Sequence, residues 1–259
     1  PENVEYTLNS TIIIPTGVPN ASITLVALDD QLDETNEQVI IDIGLVTNGI
    51  EANLPTGGER KTVTIIDNDL TPTVTLTVGK TNIDEGTLNP TVATTTTSVT
   101  AVLSKVSGID VTITLGKSGT PKENIDYTLN SVIFIPAGTV SGFVTLASKD
   151  DLFDEEHEKV VIDIISTTNA IEETVQQRVV TILDDDPEPT VTLSVGATTI
   201  PESGGSTTVT ATLSAVSNFE IIASLLPTGT TRSSDFTLPT SIFIQAGSLS
   251  GTVTLAAVH

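Results

Sequence analysis

The sequence predicts an all-β chain: tandem immunoglobulin-like, antiparallel β-sandwich repeats forming an elongated array. Three observations carry that expectation. The apolar fraction of 38% comes mainly from Val, Ile, Leu and Ala, Thr is abundant, aromatics reach only 3% and Trp and Met are absent. Side chains stiff at the β-carbon lose less freedom in a strand than in a helix, so this composition favours pleated surfaces. Short runs alternate apolar and polar residues, and no stretch longer than about ten residues has helical periodicity. Finally, the chain repeats itself.

The repetition sets the organisation. Asn3 to Asp30 aligns without gaps on Asn124 to Asp151, with half of the positions identical. TVTIIDND from Thr62 then meets VVTILDDD from Val179, and PTVTLTVGKTNIDEG from Pro72 meets PTVTLSVGATTIPES from Pro189. A loop near Pro55 to Arg60 accounts for the difference in length. A third copy follows, with VTATLSAVS from Val209 matching VTAVLSKVS from Val99, and it runs to His259. Residues 1–70 read as the C-terminal part of one repeat, 71–187 as a complete repeat, and 188–259 as the N-terminal part of a third. With Pro1 at the start and both outer copies incomplete, the expectation is a processed chain or a window onto a longer tandem array.

Within the complete repeat the strands are predicted at Thr73–Val78, Ser98–Leu103, Val111–Leu115, Val132–Ile135, Phe143–Ala147, Val160–Ile164 and Val179–Leu183, the spacing of a sandwich. In the first, Val74, Leu76 and Val78 are expected inward and Thr73, Thr75 and Thr77 outward. The linkers Leu70-Thr71-Pro72 and Pro187-Glu188-Pro189 are short, and proline fixes φ in each, which suits a rod of neighbouring repeats.

Charge narrows the function. Thirty-three acidic residues against ten basic give a net charge of −23, which repels a phosphate backbone and argues against nucleic acid. Without Cys there is no disulfide, thiolate site or cysteine nucleophile, and His157 and His259 cannot make a zinc site without carboxylates. No apolar run is long enough for a membrane helix.

The acids are bunched. Asp29, Asp30, Asp33, Glu34 and Glu37 of the first copy correspond to Asp150, Asp151, Asp154, Glu155, Glu156 and Glu158 of the second; a further bunch closes each repeat, at Asp67, Asn68 and Asp69 and at Asp184, Asp185 and Asp186. Such crowding costs Coulomb repulsion, which a hard divalent cation offsets. Calcium suits the pattern better than magnesium, because it accepts six to eight oxygens in flexible geometry. A solvated acidic loop serving solubility has the same composition.

An ordered set of motifs resembles the Calx-beta family of calcium-binding β-sandwich repeats, found in sodium/calcium exchanger regulatory domains and bacterial surface proteins. It comprises Asp126-Tyr127, the Ile133-Phe134-Ile135-Pro136-Ala137-Gly138 strand and turn, Asp150-Asp151 with Glu155 and Glu158, and the closing Val179 to Asp186. The resemblance implies calcium ligands at Glu85, Asp126, Asp150, Asp151, Glu155, Glu158, Asp184, Asp185 and Asp186. In the first copy it implies Glu5, Asp29, Asp30, Glu34, Glu37, Asp67 and Asp69, and in the third Glu202 and Asp235. It leaves Asp154 and Glu156 outside the ligand set, as surface charge. Glu5 stands where the complete repeat has Asp126, Asn68 where it has Asp185, and His259 where it has Asp150.

The function so implied is a calcium-binding structural or adhesive repeat region, extracellular and bacterial, with calcium ions and neighbouring repeats, or self-assembled copies, as its partners. A cadherin-like module shares the IIDND before a proline, but no companion acidic motif follows. A carbohydrate-active domain lacks aromatic platforms, since Tyr6 and Tyr127 are the only Tyr. No Ser-His-Asp order recommends itself, so the chain is not read as an enzyme. His157 reads as a solvated loop residue. Thr94 to Thr97 and the sequons at Asn9 and Asn20 are weak glycosylation signals.

Overall fold

The structure is a computed structural model and describes residues 5–52, 59–86 and 95–258. The length difference near Pro55 to Arg60 falls mostly outside these residues, as do Thr94 and His259. Among the described residues every regular element is a strand, and the chain is all-β. Among the described residues no helix is long and apolar enough to cross a membrane.

Residues 5–70 hold β1 (Tyr6–Thr7), β2 (Val26–Ala27), β3 (Glu37–Ile41) and β4 (Lys61–Ile65), in two antiparallel pairs, β1 with β2 and β3 with β4. The complete repeat follows with β5 (Thr73–Val78), β6 (Asn82–Asp84), β7 (Thr96–Leu103), β8 (Val111–Gly119), β9 (Tyr127–Leu129), β10 (Val132–Ile135), β11 (Ser141–Ser148), β12 (Glu158–Thr168), β13 (Ile171–Glu172) and β14 (Gln177–Leu183). They form two five-stranded sheets, in the orders β13-β5-β7-β11-β9 and β10-β8-β12-β14-β6. Alternate residues of both sheets meet in one core. Val74, Leu76, Val99 and Leu146 from the first sheet and Val111, Ile113, Ile133, Ile135, Val160 and Ile162 from the second are fully buried. Each such side chain contributes about 1.5–3 kcal/mol relative to exposure.

The third part comprises β15 (Val191–Val195), β16 (Ser206–Leu213), β17 (Ile221–Ser224), β18 (Phe236–Thr237), β19 (Ser241–Ile244) and β20 (Ser250–Ala257). These make a sheet β15-β16-β20-β18 and a pair β17-β19, around a smaller core of Val209, Ala211, Leu213, Ile242 and Ile244.

Two pairings depart from the antiparallel expectation. β13 runs parallel to β5, and β6 runs parallel to β14. The reason lies in β5 and β6, which are successive pieces of one extended segment that changes sheets at Gly79-Lys80. Thr97, itself buried, holds that crossing: its hydroxyl accepts from Lys80 N at 2.6 Å and donates to Lys80 O at 3.2 Å. Past β13, side chains satisfy the β5 backbone. Gln176 accepts from Leu76 N at 2.7 Å and donates to Val74 O at 2.9 Å, and Arg178 donates to Leu76 O at 2.7 Å.

Candidate metal centre

Register places the acids of the complete repeat at one end of the sandwich. In the first sheet Ser148 pairs with Tyr127, so Asp150 and Asp151, just past β11, lie beside Asp126, just before β9. In the second sheet Glu158 pairs with Ile182 and Leu183 with Asp84, which gathers the start of β12, the end of β14 and the end of β6. The sheets are tied there by the Ser148 hydroxyl, which donates to Asp84 O at 2.8 Å. Glu85 is fastened by its own N–H, which donates to Leu183 O at 2.8 Å, and Lys149 N donates to Asp126 O at 2.8 Å. Gly86 follows at φ +126°, where a side chain is strained, and an added Cβ would lie 3.4 Å from the Asp150 Cβ.

The acids of this corner act on one another. Burial, then the charges of Asp151, Glu155, Asp184 and Asp186, push the Glu85 carboxyl up to about 8. Burial, then Asp126, Glu155 and Asp151, push Glu158 up to about 7 against the opposing pull of Lys122. Burial raises Asp150 as well, with Asp185 and Asp151 adding to it, and Asp186 is raised by burial and by Asp184, Asp150, Asp185 and Asp151. All nine residues implied in this repeat therefore enter one network of mutual repulsion. Two oxygens are left without a hydrogen-bond partner although buried, Asp150 Oδ2 and Asp184 Oδ1. A buried carboxylate oxygen without a donor is costly, so this donor set of hard oxygens fits a hard divalent cation.

The first copy builds a similar corner more openly. Tyr6 pairs with Ala27 and Glu37 with Ile65, so Glu5, Asp29, Asp30, Glu34, Glu37, Asp67 and Asp69 line one pocket together with Asn68. Glu5, Asp30 and Glu34 each place an oxygen within 4.8 Å of the other two, the one trio of that closeness among the described residues. Burial and the surrounding carboxylates raise Glu34, and Glu5 is raised too. Asn68, in the place of Asp185, uses its amide as a donor to Asp29 Oδ1 at 3.1 Å. In the third part Glu202 and Asp235 are both exposed, and the Asp235 carboxylate caps its own turn, accepting from Arg232 N and Ser234 Oγ at 3.0 Å each.

One residue differs from its sequence reading. Asp154, expected as surface charge, is 8% exposed: its carboxylate accepts from Ser217 Oγ of the third part at 2.8 Å. The signal was present as a matching Asp33 in the first copy, but its meaning depends on a partner 63 residues away. His157 is an exposed loop residue, as expected, and its Nδ1 accepts from Asp184 N at 3.1 Å.

No protein-family model and no curated protein matches the chain. Among solved structures, CBD12 from CALX1.2 is similar at TM-score 0.35 and 17% identity, covering 68% of this chain and 72% of that one. The calcium binding domain CBD12 of CALX1.1 is similar at TM-score 0.35 and 14% identity, over 69% and 72%. A two-domain protein of unknown function from Bacteroides fragilis reaches 0.33 and 13%, over 71% and 88%.

Proposed function

We propose that the chain is a calcium-binding structural repeat region of a secreted or cell-surface bacterial protein, in which the ions stiffen a row of adjoining repeats that serves in adhesion or in a filament. The observation that supports this most is the pair of donorless buried oxygens, Asp150 Oδ2 and Asp184 Oδ1, within the corner of nine acids. Glu85, Asp126, Asp150, Asp151, Glu155, Glu158 and Asp184 to Asp186 would share the ions in the complete repeat. Glu5, Asp30 and Glu34 would do so in the first copy, with Asp29, Glu37, Asp67 and Asp69 around them. In this reading the carboxylates are ligands and carry out no turnover. The corner also stands next to the following repeat, so neutralising it removes repulsion at the junction as well as within the fold.

Calorimetric titration of the chelator-treated chain with calcium, and in parallel with magnesium, tests the reading. Calcium is expected to bind with measurable heat and to raise the melting temperature, and magnesium to do so less. Coincident melting curves in chelator and in millimolar calcium, with no heat of binding, would overturn it.

A further inference from the structure

The loop that carries the acids also makes a contact that the metal reading does not use, and it makes it twice. At the first junction Asp33 forms a parallel bridge to Ser107, and Gly108 N donates to Asp33 O at 3.1 Å. At the second, Asp154 forms the same bridge to Ser217, and Asn218 N donates to Asp154 O at 3.1 Å. Asp33 and Asp154 are each 8% exposed, and Ser107 and Ser217 each 1%. Burying a carboxylate is costly without a hydrogen-bond donor, and each has a hydroxyl donor, from the linker in the first case and from the receiving serine in the second. Asp33 accepts from Thr71 Oγ1 at 3.4 Å and Asp154 from Ser217 Oγ at 2.8 Å.

The receiving turn is equally specific. Ser217 Oγ accepts from Phe219 N at 3.1 Å, as Ser107 Oγ does from Ile109 N at 3.2 Å, which shapes the turn from within. Each serine carbonyl is then held by its own repeat's glycine turn, Gly138 N donating to Ser107 O at 2.8 Å and Gly247 N to Ser217 O at 2.9 Å. The turn is thus presented as a rigid receptor.

We propose that this Asp and the following repeat's Val-Ser turn form a metal-independent clasp, a docking surface whose partner is another repeat carrying the same turn. The loop then has two tasks. Asp150, Asp151 and Glu158 face the metal corner, Asp154 joins one repeat to the next, and Glu155 reaches both, accepting from Asn218 Nδ2 across the junction, so the junction has a defined geometry before any ion binds.

The test uses the whole chain in excess chelator, which removes calcium from the outcome and separates this proposal from the one above. Because the protein has no Cys, spin labels can be placed at Asn130→Cys and Ser203→Cys, one on each side of the second junction. The expected result is a narrow distance distribution that at least doubles in width in Asp154→Ala and in Ser217→Ala, with the double variant no broader than either. Asp154→Asn keeps an acceptor oxygen and is expected to stay narrow. Hydrogen exchange is expected to show faster exchange at Asn218 N in the Ala variants, while protection at Ile162 and Val209 reports that both cores remain folded. Equal widths in every variant would overturn the clasp, as would an Asp154→Asn distribution as broad as that of Asp154→Ala. Should Asp154→Ala lose core protection, Ser217→Ala decides by the same two readouts.

Discussion

Tyr6, Ile12 and Ile14 sit in nearly the same local sequence as Tyr127, Ile133 and Ile135. The first three are 38%, 51% and 56% exposed, and the second three 3%, 0% and 0%. What differs is the company. In the complete repeat Ile133 and Ile135 pair with β8 and face the opposite sheet, and in the third part Ile242 and Ile244 pair with β17 and are also fully buried. In the register of the repeat the counterpart of β8 would fall before Pro1, and in this chain the same Ile-x-Ile pattern stays open. The amphipathic pattern therefore states only which face should be covered. Non-local pairing decides whether it is.

The sharpest way to break this comparison is to truncate the corresponding isoleucines. Ile135→Ala is expected to destabilise the complete repeat by about 2–5 kcal/mol, and Ile14→Ala to change stability by less than about 0.5 kcal/mol. Denaturant unfolding followed by hydrogen exchange in each part reads both. A large effect at Ile14 would mean that the first copy buries a core after all.

The acidic corners differ in the same sense, closed in the complete repeat and open in the first copy. Calcium at a hundredfold excess over Kd is expected to add about 2.7 kcal/mol per site. Changing Asp150 and Asp151 together to Asn should abolish most of that in the complete repeat. Glu156→Gln is the proper control, because Glu156 is exposed whereas Asp154 serves the junction.

Acidity should sharpen the contrast further. Glu85 and Glu158 have folded-state values above the unfolded one, so the native state holds more protons and stability falls as pH rises from about 4.5 through about 7 and 8. In chelator, melting of the complete repeat is expected to drop by several degrees between pH 5.5 and 8.5, and Glu85→Gln to flatten the slope. Calcium near pH 7 should displace protons from these groups, visible as a binding heat that varies with the buffer. A pH-independent melting curve would contradict the crowding of these carboxylates.

The smallest effect concerns the two junctions. A Cβ on Gly108 would fall 2.3 Å from Glu34 Cγ, whereas Asn218, at the matching place, donates to Glu155. Gly108→Ala is expected to cost about 1 kcal/mol or less, because the Glu34 side chain can swing aside. A larger loss, read by the same exchange protection at residue 108, would show that the first junction is the tighter one.

These contrasts also mark what a reader of the sequence can reach. The long alternating strands were reachable: Thr73–Val78 and Val132–Ile135 lie where the pattern put them, and Val74 and Leu76 are fully buried. β6, β9 and β13 have two or three residues each, too few to show a period, and exist because distant segments pair with them. The convergence of the acids follows from their places at strand ends, which repetition displays. Asp154 was misread because its burial depends on one hydrogen bond to Ser217, 63 residues along the chain, and nothing in its neighbours announces it.

The crossing of β5 into β6 has a mechanical consequence. Tension along the polypeptide enters this repeat at β5 and leaves at the end of β14, beside which β6 lies parallel with Asn82, Ile83 and Asp84 opposite Thr181, Ile182 and Leu183. Their link is closed by Thr181 N donating to Thr81 O and Glu85 N to Leu183 O, both at 2.8 Å. Pulled from opposite ends, parallel strands slide past one another, so these bonds bear the load together and do not peel apart in turn. The short strap between the two sheets is thus placed as a shear lock, and a stretched chain must break it before the sandwich can open.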